Sequence, residues 1–437
     1  MNFGATNITP KAQAAYLRTL PAIRERCSRV FRLAQKGSLQ YFEYHPDKEG
    51  DVVAFCEQII KRDFGTDFAS IPPHGRWRHL DAGRSRIEPL IALWRSSENA
   101  PDDKEICKRL IDLFLVSVLL DAGAGNEWTF TEKGSEQKYS RSEGLGVASV
   151  HMFADGLFSG DSTQPYKVDS QGLSQITVEK SAKAMQVSDD NPMVGLEGRT
   201  SLLCNLSTAL KSQPEFFGED ARPGNLIDFL ESQSNTEGSS RRIHISSLWG
   251  ALIEGLTPIW PARTSLEGIP LGDVWPCTAL KEDGQAEGDY LVPFHKLTGW
   301  ITYSLIEPIE KILKWTFDGV EDMTGLPEYR NGGLLVDLGV LTLRPEAFSP
   351  DVFSQATGIP RLPPSHPAVV EWRAMTVIEL DRIASAVRRN NNLLPAQLTL
   401  AQVLESATWK GGREIAKRRR PDTGGPPIDI ESDGTVF

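Results

Sequence analysis

The run Glu105-Ile-Cys-Lys-Arg-Leu-Ile-Asp-Leu-Phe-Leu-Val-Ser-Val-Leu-Leu120 carries the longest aliphatic stretch of the chain, Leu113 to Leu120. Ser117 interrupts that stretch, which is far short of the ~20 residues a membrane helix needs. It therefore reads as a deeply buried helix of a globular core, broken by the turn signal Asp121-Ala-Gly-Ala-Gly125.

Working outward, the same periodicity recurs. Ala15, Leu17, Leu20, Ile23, Cys27, Val30, Phe31 and Leu33 keep helical spacing over 10–36, with Gly37 as a stop. Further helices are expected over 195–211, 242–253, 296–315, 368–392 and 398–416. Strand signals are few, the best being Leu39 to Tyr44 and Leu334 to Leu343. Ser232 to Arg242 and Lys281 to Gly288 look like surface loops. The expected class is mainly α: one large helical domain over 1–416 with few short strands, followed by a C-terminal tail over 417–437. The prior of roughly 150 residues per domain would suggest two or three, but no obvious linker divides the chain.

Composition narrows the function classes. Forty per cent of the 437 residues are apolar, enough for a large core. The 47 Lys and Arg stand against 58 Asp and Glu, a net charge of -11 that argues against general nucleic-acid binding. The basic run Lys417-Arg-Arg-Arg420 complements the end of a helix. Five cysteines, at 27, 56, 107, 204 and 277, form no C-x-x-C pair and read as reduced core residues. Met1 to Pro10 lacks the pattern of a signal peptide. A cytoplasmic protein without membrane or nucleic-acid partners is the expectation.

No nucleophile elbow, phosphate-binding P-loop, dinucleotide fingerprint or H-E-x-x-H motif is present, and the seven histidines form no i, i+4 metal pair. What remains are clusters of Gly, Trp and charge. In His74-Gly-Arg-Trp-Arg-His79, Arg76 and Arg78 flank an indole, a pattern suited to phosphate or carboxylate; a surface loop anchored by Trp77 explains it equally well. Leu120-Asp-Ala-Gly-Ala-Gly-Asn-Glu-Trp128 and Arg141-Ser-Glu-Gly-Leu-Gly-Val-Ala-Ser149 bring Asp121, Arg141 and Glu143 into consideration. Their glycines would let backbone approach a ligand, with Ser142 capping an anion-binding helix; tight turns between core helices are the alternative. Asp189 and Asp190 precede another helix and read as capping residues.

Leu256-Thr-Pro-Ile-Trp-Pro-Ala-Arg263 and Asp273-Val-Trp-Pro276 form a proline- and tryptophan-rich segment in which Trp260 and Arg263 either line a pocket or stiffen a core loop. Tyr290-Leu-Val-Pro-Phe-His-Lys296 opens a helix reaching Glu307. Gly325-Leu-Pro-Glu-Tyr-Arg-Asn-Gly-Gly333 then places Glu328 and Arg330 on a loop entering an apolar element. A carboxylate there can stabilise an oxocarbenium-like centre or activate water; it can also simply pair with Arg330.

Leu120-Asp-Ala-Gly-Ala-Gly, Arg141-Ser-Glu-Gly-Leu-Gly-Val-Ala-Ser, Asn191-Pro-Met-Val-Gly-Leu-Glu-Gly-Arg, Leu326-Pro-Glu-Tyr-Arg-Asn-Gly-Gly and Ser432-Asp-Gly-Thr-Val-Phe437 together resemble the uracil-catabolism protein family of fungi and bacteria. The resemblance runs from about residue 20 to the end. It implies a place in a pathway that converts uracil to a ribosyl phosphate, opens the ring, and must split a ribosylurea phosphate into urea and a sugar phosphate. A second, weaker resemblance is to the queuosine-salvage glycosidases, which are similar in fold to helical DNA glycosylases. His295-Lys-Leu-Thr, Glu328-Tyr-Arg-Asn-Gly and Glu371-Trp-Arg-Ala stand where that family has Tyr-Lys-Arg-Ala-Gln, Asp-Tyr-Arg-Val-Pro and Glu-Ile-Arg-Ala.

These resemblances imply an N-glycosidase acting on a ribosylurea 5-phosphate, with Glu328 and Lys296 catalytic. Tyr329, Arg330, His295, Arg76, Arg78, Asp121, Arg141, Glu143, Trp260 and Arg263 would then bind substrate, with Arg330, Arg76 and Arg78 as candidates for its phosphate. Such chemistry requires no metal or cofactor. The partners would be the small phosphorylated riboside and other enzymes of the pathway. An amidohydrolase on the ureido group, or a non-catalytic pathway scaffold, is the alternative.

Overall fold

The stretch Glu105 to Leu120 lies almost entirely in the helix Asp103–Leu119, whose residues from Leu110 to Leu119 are all buried. Asp102 starts it, its carboxylate accepting from the Glu105 amide at 2.8 Å. The computed structural model describes residues 9–121, 123–125, 127–237, 240–260 and 263–431. Ala122, Asn126, Pro261, Ala262 and the Ser432–Phe437 ending lie outside the described residues. The fold is mainly α, with few and short strands.

The described chain forms two compact units, each assembled from separate stretches. Among the described residues, unit 1 takes 9–73, 263–296 and 321–431, and unit 2 takes 74–260 and 297–320.

In unit 1 the amphipathic helix Leu20–Gln35 packs on the long helix Pro367–Asn390. A bidentate ion pair from Arg24 to Asp381, at 2.7 and 3.3 Å, ties the two. The 10–36 segment is two helices, Pro10–Leu17 and Leu20–Gln35, because the second begins afresh with Pro21 in its first turn. The two expected strands find each other: Phe42–Tyr44 pairs antiparallel with Leu341–Leu343. The Leu334–Leu343 expectation is corrected at its start. Leu334 to Asp337 complete the helix Tyr329–Asp337, and Gly339, at φ +80°, turns the chain into the strand. The helix Glu49–Phe64 has no counterpart among the expected helices. The 398–416 helix is interrupted by a π-helical turn at Leu404–Thr408 between Leu400–Val403 and Trp409–Arg419. Over the described residues 420–431 the chain packs against the unit: Asp429–Ile430 pairs in parallel with Arg361–Leu362, and Arg420 grips Asp337.

In unit 2, Asp103–Leu119 and Arg141–Ala154 pack together, with Leu196–Ser212 also against the first. The 242–253 expectation holds only from Ile245: residues Ser240–His244 form a strand pairing in parallel with Thr316–Asp318, and the helix Ile245–Gly255 follows. Likewise part of the expected Ser232 to Arg242 loop is the strand pair Asn235–Glu237 and Ser240–His244. Of the cysteines, Cys27, Cys56, Cys107 and Cys277 are buried and Cys204 is half-buried, all as free thiols. Among the described residues no helix is long and apolar enough to cross a membrane.

One buried carboxylate in unit 1 should tune stability to pH. Glu379 is fully buried on Pro367–Asn390, with Arg382 Nε 3.6 Å away and Glu49, itself gripped by Arg382 and Tyr44, close by. Burial first, then the Glu49 charge, pushes its carboxyl from 4.5 up to about 8, against the opposing pull of Arg382. The folded state therefore keeps a proton that the unfolded chain loses, and stability falls as pH rises from about 4.5 to 8. Glu379→Gln should raise the urea midpoint at pH 8 and leave it unchanged near pH 4.5. An equal gain at both pH values would show that this carboxyl is not the titrating group.

Candidate functional site

In unit 1 two residues that the sequence alone does not single out, Asp273 and Arg373, hold the backbone at Lys296 and just before Glu328. Arg373 stands on Pro367–Asn390 and is almost wholly buried. Its guanidinium lies over the Phe294 ring at 4.1 Å and donates two bonds of 2.8 Å to the Asp273 carboxylate. Asp273 also accepts from the Trp275 indole at 2.6 Å and the Lys296 amide at 2.9 Å. Burial pushes the Asp273 carboxyl up, but Arg373 and these donors win and hold it well below the usual carboxylate range. Arg373 Nε also reaches the Pro327 carbonyl at 3.3 Å. One ion pair thus fixes both the Phe294-His-Lys296 segment and the approach to Glu328.

Glu328 is the N-cap of the helix Tyr329–Asp337 rather than a loop residue before it. Each carboxylate oxygen accepts one main-chain bond of 2.6 Å, Oε2 from the Arg330 amide and Oε1 from the Asn331 amide. Burial raises its pKa; the two amides, then Lys296 and Arg330, pull it down. The result is a buried carboxylate held rigidly by backbone, with an ammonium within electrostatic reach.

Arg330 is corrected from a loop side chain to a buried one in the first turn. It donates to the Gly424 carbonyl at 2.7 Å and lies over the Tyr329 ring at 4.9 Å. His295 turns inward at φ +44° and donates from Nε2 to the Leu17 carbonyl at 2.8 Å; burial lowers its pKa. Arg263 stacks over Trp275 at 5.5 Å, at the edge of the Asp273 cluster.

The other predicted residues belong to unit 2. Arg76 is completely buried and pairs with Asp121 at 2.8 Å; its Nε donates to Ser117 at 2.8 Å. Burial lowers the Arg76 pKa, while Asp121 and then Glu143 raise it. The His74–His79 stretch is therefore not a surface loop. Trp77 is buried and its indole donates to Asp81 at 2.8 Å. Arg78 points elsewhere, donating to Glu307, which Lys311 also approaches at 3.0 Å. Arg141 opens the helix Arg141–Ala154 at φ +53°. Ser140, not Ser142, occupies the N-cap position, without a side-chain cap. Gly146 serves packing: a Cβ there would stand 2.6 Å from the His79 carbonyl, so glycine lets this helix close on the His74–His79 segment. Asp189 and Asp190 are corrected as caps. They sit exposed in a turn closed by Ser188 and Asn191, and Gly195 is the N-cap of Leu196–Ser212. Trp260 is half-buried after the short turn Thr257–Ile259.

A family model described as a protein of unknown function, DUF1688, matches residues 16–437. The chain belongs to the DUF1688 family. Two curated relatives extend the match. The chain is 44% identical to "Uracil catabolism protein 4" of Lachancea kluyveri over 97% of its own length and 98% of the relative's. It is also 44% identical to "Protein urg3" of Schizosaccharomyces pombe over the same shares. The printed name of the first relative places that protein in uracil catabolism.

Proposed function

We propose that this chain is a cytoplasmic hydrolase of uracil degradation that cleaves the N-glycosidic bond of a ribosylurea 5-phosphate, giving urea and ribose 5-phosphate. The observation that carries this reading is Glu328: a buried carboxylate whose two oxygens are fixed by the Arg330 and Asn331 amides, with the Lys296 charge within electrostatic reach. Glycosidic cleavage develops positive charge on the sugar ring, and a preorganised carboxylate stabilises that charge without having to reorient. Lys296 would hold the phosphate or a sugar hydroxyl.

The purified chain incubated with ribosylurea 5-phosphate should release free urea and ribose 5-phosphate in equal amounts. Release of ammonia instead would point to an amidohydrolase, and no product to a binding or scaffold role. Either result overturns the proposal.

A further inference from the structure

The amides of Phe294, His295 and Lys296, which lead into the helix Lys296–Leu313, all donate to Asp273. Its carbonyl accepts from Phe294 at 2.9 Å and from His295 at 3.3 Å, and its carboxylate Oδ2 accepts from Lys296 at 2.9 Å. His295 takes φ +44° there, in the left-handed region that its side chain enters only where the surroundings enforce it. The ring bond to the Leu17 carbonyl and the amide bond to Asp273 supply that constraint. Arg373 grips the same carboxylate with two nitrogens, Nη1 to Oδ1 and Nη2 to Oδ2, each at 2.8 Å. Its Nε donates to the Pro327 carbonyl at 3.3 Å. An unbroken path thus runs from the Lys296 amide, through a carboxylate and a guanidinium, to the peptide bond that begins Glu328. Both groups are planar, and a two-bond fork lets neither turn against the other.

We propose that Asp273 and Arg373 are positioning residues: joined as one rigid unit, they set the placement of Lys296 relative to Glu328. The inference rests on the functional reading above for the reaction that this placement serves. Arginine suits the task and lysine does not. An ammonium could still neutralise Asp273, but it has no planar fork and no second donor direction for Pro327. The charges acting on Glu328 make the role measurable. Lys296 and Arg330 both pull its carboxyl down. Arg330 follows Glu328 in the same helical turn and has its own anchor, the Gly424 carbonyl at 2.7 Å. Loosening the Asp273–Arg373 pair should therefore weaken the hold of Lys296 on Glu328 and leave that of Arg330 in place.

The test is Arg373→Lys in the full chain, with ribosylurea 5-phosphate as substrate. The control is Arg382→Lys on the same helix, whose bonds run to Glu49 instead. Per folded molecule, Arg373→Lys should lower kcat/KM by about tenfold or more, the scale of a small misplacement of reacting groups. The acid limb of kcat/KM, which reports the free enzyme's carboxyl, should move to higher pH by about half a unit. Arg382→Lys should leave both unchanged. Should Arg373→Lys fold poorly, Trp275→Phe, which removes only the 2.6 Å indole bond to Asp273, should move the limb the same way in smaller measure. An unmoved acid limb, whatever the rate, or an equal shift in Arg382→Lys would overturn the positioning role. Carbon-13 NMR of carboxyl-labelled glutamate, assigned with Glu328→Gln, follows the same carboxyl without substrate and separates the two readings. A raised Glu328 titration in Arg373→Lys, in a protein whose parent releases no urea, sinks the hydrolase reading alone. Urea release with an acid limb indifferent to Arg373→Lys sinks the positioning role alone.

Discussion

Glu328→Gln is expected to reduce turnover of ribosylurea 5-phosphate by about 10²-fold or more, the scale of losing one preorganised electrostatic stabiliser. Substrate KM should move little, because the carboxylate acts on charge that exists only in the transition state. The substitution also affects the helix start. The two capping bonds use separate oxygens, and a glutamine amide supplies one acceptor, so about 1 kcal/mol of stability should be lost as well. Turnover must accordingly be measured per folded molecule. Glu328→Asp provides the contrast: aspartate is a strong N-cap, so stability should be kept while the charge is withdrawn by one methylene and activity falls. If both variants turn over at the parental rate per folded molecule, Glu328 only caps its helix. Because burial raises its pKa and the ionised form is the one required, the rate should rise with pH through a value above the ordinary carboxylate range.

The second large effect is on stability. Asp273→Asn should cost about 3–5 kcal/mol, the range for removing one partner of a buried ion pair, since it strands the Arg373 guanidinium among apolar groups. The Asp273 carboxyl is held below its unfolded pKa. Its stabilisation is therefore complete above about pH 4 and lost as pH falls towards the lowered folded value. The asparagine variant should show a much lower urea midpoint at pH 7, with the gap narrowing in acid. Adding Arg373→Met to Asp273→Asn should recover part of the loss by removing the stranded charge. An unfolding free energy at pH 7 within about 0.5 kcal/mol of the parent's would show that the pair does not hold this part of the unit together.

The helices are legible where one face alone is buried or where apolar residues run without a break. Lys296–Leu313 and Asp103–Leu119 follow directly from such patterns. The segment Arg242-Ile-His-Ile245 misleads because its period-2 alternation runs straight into a helical period, and only pairing with Thr316–Asp318 separates them. Phe42–Tyr44 and Leu341–Leu343 each look like strands, but nothing local announces a partner some 300 residues away. The same holds at the site. Asp273 and Arg373 both stand in strings rich in Trp and charge, yet their pairing spans 100 residues and leaves no trace in spacing. Glu328 is visible in the sequence as a carboxylate beside glycines. Its capping geometry is not, because glutamate is not among the preferred N-cap residues. The glycines of the Arg141 to Ser149 string suggest ligand approach, and at Gly146 the close neighbour is instead the protein's own backbone.

The interleaved chain of unit 1 also sets a timetable for its synthesis. Arg24 and Asp381 are 357 residues apart. At roughly 5–20 residues per second, the helix Leu20–Gln35 leaves the ribosome about 20–70 s before its packing partner exists. Throughout that interval its apolar face, with Ile23, Cys27, Val30 and Phe31, lacks the long helix it packs on. Every residue of His74–Trp260, by contrast, is made within that same wait. A nascent chain stalled anywhere before Pro367 should thus present a sticky amino-terminal helix to holdase chaperones, which the finished protein conceals.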